Sequence, residues 1–173
     1  MAALDYEQTA ALTTEQIARF SYFQINALGK GQVGALTITQ ISALNAIQVG
    51  ALSADMISAL SPAQIAAISP QAIQGLSTAQ LSAMTPDQAE AFTPLQVSKL
   101  SGAQVAALSN ASLATFSTND ISSLSGSGLS GLSNVNISAL SIAQLQSLTD
   151  SQMQLLSSQQ IADIIAVYQA LSG

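Results

Sequence analysis

A helix-capping residue recurs every eight positions along this chain, and no insertion or deletion disturbs that spacing between residues 5 and 164. The series starts at Asp5 and passes through Thr13, Ser21, Gly29, Thr37, Asn45 and Ser53. From Ser61 to Ser157 every member is Ser or Thr. Seventeen of the twenty positions are Ser or Thr, and the three exceptions, Asp5, Gly29 and Asn45, are also residues that start helices. A strict short period means a small unit that buries its apolar side only by stacking on copies of itself.

The other positions of the unit are nearly as regular. Three residues after the cap, fourteen of the twenty octads carry Gln. The fifth position is mostly branched and apolar, the seventh is usually Ala, and the eighth is always large and apolar. The consensus is Ser/Thr-x-x-Gln-Ile-x-Ala-Leu.

Each feature has a mechanical meaning. Ser or Thr followed three residues later by Gln is the capping box, which satisfies two orphan backbone donors reciprocally. Ser61 with Gln64, Ser77 with Gln80, Thr93 with Gln96 and Ser101 with Gln104 are its clearest instances. Pro62, Pro70, Pro86 and Pro94 follow a cap directly, at the first helical position where Pro is best tolerated. Each octad therefore reads as one helix of about five to seven residues that stops and restarts. Positions five and eight stand three apart and share a face. The expected core holds Ile17, Ile25, Ile41, Ile57 and Ile65 from position five, with Leu60, Leu76, Leu100 and Leu108 from position eight.

The fold class that follows is all-α, a solenoid of about twenty octads over residues 1–164. A longer helix within 157–173 closes the end of the same domain, because Ile161–Leu171 contains no new cap. A continuous helix is disfavoured: its apolar stripe would drift about 80° per octad and four prolines would lie in helix interiors. A β-solenoid is the alternative, supported by recurrent β-branched Ile but opposed by the Ala and Gln content. The Ser125–Gly131 stretch has the weakest helix propensity in the chain, and reads as a hinge or as tolerated drift in a repeat.

Charge and composition narrow the function. Only 7% of residues are charged, against about 25% in ordinary soluble domains, so the expected surface is neutral, rich in Ser and Gln. With Arg19, Lys30 and Lys99 the only basic residues and a net charge of −6, no cluster exists to displace counterions from nucleic acid. Mean hydropathy is +0.41, yet polar residues interrupt every apolar run well short of the ~20 residues of a spanning helix.

Chemistry is sparse. Without His or Cys, the commonest general base, thiolate metal sites and Ser-His-Asp arrangements are impossible. Asp87 and Glu90 are the closest approach to a paired-carboxylate site and read better as a solvated surface. No catalytic, cofactor-binding or metal-binding residue is assigned.

The stretches Leu60–Ala67 and Leu76–Ala83 carry the consensus in full. This pattern resembles the octapeptide-repeat arrays of large bacterial surface or secreted proteins, over nearly the whole chain. The resemblance implies an extracellular, adhesive or matrix role. The chain departs from it in being short and in having no calcium-binding nonapeptides.

The expectation is a non-enzymatic structural protein that self-assembles end to end into an extracellular filament or matrix. Its assembly residues are Leu4 and Tyr6 at one end, and Ile164, Val167 and Tyr168 at the other. Its partners are itself and, beyond that, other matrix proteins or glycans. The alternative is a solenoid binding module whose positions two, three and six recognise a protein or glycan. Localisation is read as extracellular or cell-surface, exported without a cleavable N-terminal signal, with a cytoplasmic location as the alternative.

Overall fold

The computed structural model describes residues 5–172. They form an all-α solenoid: short helices follow one another in strict register, and no strand occurs among the described residues. Numbering octads from the one that begins at Asp5, the interior helices span four to six residues, as in Ala54–Ile57, Thr78–Ser82 and Gly102–Ala107.

Backbone geometry explains how the chain restarts so often without breaking. The capping residue is extended, for example Ser53 at φ −72° and ψ 162°. The eighth residue of octads that end in a six-residue helix is extended as well, as at Leu52 (φ −68°, ψ 139°). Two consecutive extended residues turn the chain between helices, and no residue among those described needs positive φ. The final helical turn is tightened by an amide bond from position eight to the carbonyl at position five, such as Leu52 N to Val49 O at 3.2 Å. Most interior helices have the five or six residues expected from the caps, and a few, such as Ala54–Ile57, have four.

The helices wind into a superhelix. Each packs against the helix three octads along, so that Tyr22–Asn26 meets Ala46–Ala51 and Pro86–Glu90 meets Asn110–Ala114. Hydrogen bonds reach back to the fourth octad, so one superhelical turn holds between three and four octads. The core is a single column inside the superhelix. Ile17, Ile25, Ile41, Ile57 and Ile65 are sealed from solvent, and Leu60, Leu76, Leu100 and Leu108 lie beside them.

One octad departs from the rule. Ser69-Pro70-Gln71-Ala72 places Gln one residue early, so no capping box closes. The octad forms a 3-10 turn over Ala72–Gly75 instead, and Pro70 precedes that turn rather than opening an α-helix as Pro62, Pro86 and Pro94 do. The chain ends in the fifteen-residue helix Ser158–Ser172, which packs back on Asn134–Ala139.

Candidate functional site

The most repeated polar arrangement in the molecule is a ladder of glutamines joining successive turns. Gln96 is representative. Its Oε1 accepts from the Thr93 backbone N–H at 2.7 Å, and Thr93 Oγ1 accepts from the Gln96 N–H at 3.3 Å. That is the local capping box. The same side chain then donates from Nε2 to the carbonyls of Ile65 (3.0 Å), Ala66 (3.2 Å) and Ile68 (2.6 Å), one turn back. Gln64 reaches Gly34 O and Leu36 O, Gln80 reaches Val49 O and Leu52 O, and Gln104 reaches Ile73 O and Leu76 O.

The position-eight carbonyl is the central acceptor. It lies outside the helix, and no backbone N–H pairs with it among the described residues. In stapled octads the glutamine one turn on is its donor, as Gln40 is to Leu12 O at 2.6 Å and Gln144 to Phe116 O at 2.7 Å. Each glutamine therefore starts its own helix and satisfies the end of another, with all its polar capacity directed inward. The interior glutamines are accordingly buried, which corrects the expectation that Gln helps to form the surface. The local capping signal hid this second role, because one amide oxygen is enough to complete the motif.

Capping survives some substitutions of Gln better than the inter-turn bond does. Ser53 N meets only the sulfur of Met56, at 3.4 Å. Gly29 has no side chain to cap with, but its N–H still donates to Gln32 Oε1 at 2.6 Å. From octad 14 to octad 17, Ser112, Asp120, Gly128 and Asn136 stand in the Gln position, and none reaches a carbonyl of the preceding turn. Asp120 uses Oδ2 for Ser117 N (2.8 Å) and Ser117 Oγ (2.6 Å), leaving its buried Oδ1 without a partner. Asn136 Nδ2 donates instead to the side-chain Oδ1 of Asn110, on the helix three octads back, at 2.9 Å.

The remaining singled-out residues fall as follows. Tyr6 is exposed, Ile164 is buried, and Val167 and Tyr168 are half-buried against the core of their own chain. Leu4 lies outside the described residues. Asp87 and Glu90 are both exposed on Pro86–Glu90. The Ser125–Gly131 stretch keeps its helix, Gly126–Leu129, and its glycines admit close approach between turns rather than a bend: a Cβ on Gly131 would collide with the Gly102 carbonyl. Exposed apolar side chains missed in the sequence cluster at positions two and three. They include Phe23 (81% exposed) and Ile47 (70%) on neighbouring helices, with Tyr22 edge-on to Phe23.

Among the described residues no three metal-ligating side chains come together, and no helix is long and apolar enough to cross a membrane. An open cleft of about 550 Å³ beside the last helix is lined mainly by small residues, and its one amide, Gln144, is already bonded to carbonyls of the preceding turn.

No curated protein matches the chain. Two segments, residues 1–38 and 57–94, match the ALTTAQ repeat. Read as residues, those six letters align with Ala11–Gln16, Ala59–Gln64 and Gly75–Gln80, the joint at which one helix ends and the next is capped. Over these two segments the chain, itself an octapeptide-type array folded as an all-α solenoid, is similar to the ALTTAQ repeat.

Proposed function

We propose that this protein is a non-enzymatic structural element that self-associates end to end into filaments or a matrix outside the cell. One observation carries the reading. Stapled turns offer Gln amide donors on one side and position-eight carbonyls on the other, so such a turn complements a copy of itself. Among the described residues, the amide nitrogens of Gln16 and Gln24 make no inter-turn bond. At the other end Met153, in the position that is sealed through the interior, is 37% exposed. A contact that pairs the donor side of one turn with the acceptor side of another is heterologous, and it propagates rather than closing. The near-neutral side walls carry few like charges to oppose lateral association.

The test is negative-stain microscopy across a concentration series, with circular dichroism on the same samples. Fibres whose helical spectrum matches that of the dispersed protein support assembly without refolding. Short rods at every concentration overturn it.

The exposed Tyr22, Phe23 and Ile47 favour a second reading, a binding module for a protein or glycan. In that case Phe23→Ser abolishes binding to the partner and leaves any fibres intact.

A further inference from the structure

We infer that the solenoid contains a built-in opening seam between octads 10–13 and octads 14–17, where its turns part before any others do.

The seam is drawn by the glutamine ladder. Below it, Gln80, Gln88, Gln96 and Gln104 tie octads 10–13 to the turn before. Above it, Gln144, Gln152 and Gln160 tie octads 14–16 to the turn that follows. Between these sets stand Ser112, Asp120, Gly128 and Asn136. Four consecutive octads complete a superhelical turn, so the break runs all the way round the molecule. The other two substitutions of Gln along the array, Met56 and Ala72, are isolated, each with stapled octads on both sides.

The consequence falls on the acceptors. Met84, Phe92, Leu100 and Leu108 are buried, and their position-eight carbonyls receive no side-chain hydrogen bond among the described residues. Asp120 adds a sealed carboxylate oxygen with no donor. Apolar contact continues across the seam: Phe92 and Phe116 meet edge to face at 6.4 Å, and Gly102 and Gly131 bring two backbones together. One exposed hydroxyl also crosses, Thr115 Oγ1 donating to Pro86 O at 3.4 Å, but what is missing is the buried glutamine tie that the flanking turns have. Buried acceptors left without donors weaken a surface that is otherwise close-packed. In a chain stabilised by nearest-neighbour contacts, opening concentrates at the weakest interface. The two stapled blocks, residues 5–108 and 109–172, then separate while each keeps its own ladder. This device is independent of self-assembly and would operate in a single copy.

Native-state hydrogen exchange on the full chain tests it. A solenoid with uniform interfaces frays from its ends and is most protected in the middle. With the seam, amides in residues 85–132 exchange faster than those in residues 37–76. Installing Gln at two gaps (S112Q with D120Q) slows exchange in 85–132 roughly tenfold and leaves 37–76 unchanged. The seam is overturned if 85–132 is as protected as 37–76 in the unmodified protein, or if the double variant, folded by circular dichroism, exchanges as before. If that variant does not fold, the unmodified profile decides by itself.

Discussion

Gln96 shows how much a single side chain contributes at the residue scale. It is 1% exposed, and its amide is bonded to Thr93 on its own helix and to Ile65, Ala66 and Ile68 on the turn before. Gln96→Met keeps the volume and reproduces the residue found naturally at Met56. It replaces the cap acceptor with a weak sulfur one, as at Met56, and leaves carbonyls buried without a donor. The expected loss is about 2–4 kcal/mol, measured by urea unfolding, from the sum of a cap and an unsatisfied polar group. A loss below ~1 kcal/mol would show that the carbonyls find water instead. The capping half of this side chain's work was legible in the sequence, because Ser/Thr and Gln three apart form a local pattern. The inter-turn half was not, because its partners lie 28, 30 and 31 residues away.

Among the short helices, glycine acts in opposite ways depending on what lies beside it. Gly75 ends the 3-10 turn, and a Cβ there would collide with the carbonyl of Ala46 on the facing helix. Gly75→Ala forces those two elements apart and is expected to cost about 1–3 kcal/mol. Gly31 lies within Lys30–Gly34 with nothing within 4 Å of its Cβ position. Gly31→Ala is expected to stabilise by about 0.5–1 kcal/mol, through a smaller unfolded-state entropy. Paired thermal melts measure both, and equal signs would defeat the argument. The sequence signal for the 3-10 turn was the shift of Gln to position 71, which leaves Ala72 with nothing to return to Ser69 N. The sequence did not show that the turn lies against Ala46.

Across the whole molecule, the register of the ladder matters more than any one octad. Deleting residues 77–84 hands Gln88 the acceptors that Gln80 now holds, so every later staple keeps its separations of 28 and 31 residues. Such a chain should keep its ellipticity per residue and melt within about 5 °C of the parent. Deleting only residues 77–80 puts Gln88, Gln96 and Gln104 half an octad out of step with their acceptors in the turn before, and cooperative melting should be lost. Circular dichroism melts compare the two. Equal behaviour would mean that apolar stacking alone sets the register.

The sequence by itself determined where the capped helices start, the Ser69 octad excepted, and that positions five and eight turn inward. Capping boxes span three residues and the positions five and eight share a face, so both are settled within one octad whatever the neighbours do. It also showed that the array is a solenoid, since no octad can bury its Ile and Leu alone. Only the tertiary structure decided how many octads make a turn. That number depends on how closely helices three octads apart can approach, and on where a glutamine finds a carbonyl four octads back. The tertiary structure likewise decided that Gln is a core residue, that Ser158–Ser172 folds back on Asn134–Ala139, and that four substitutions line up as one seam. Each of these depends on contacts between turns, and their partners become neighbours only once the chain has wound.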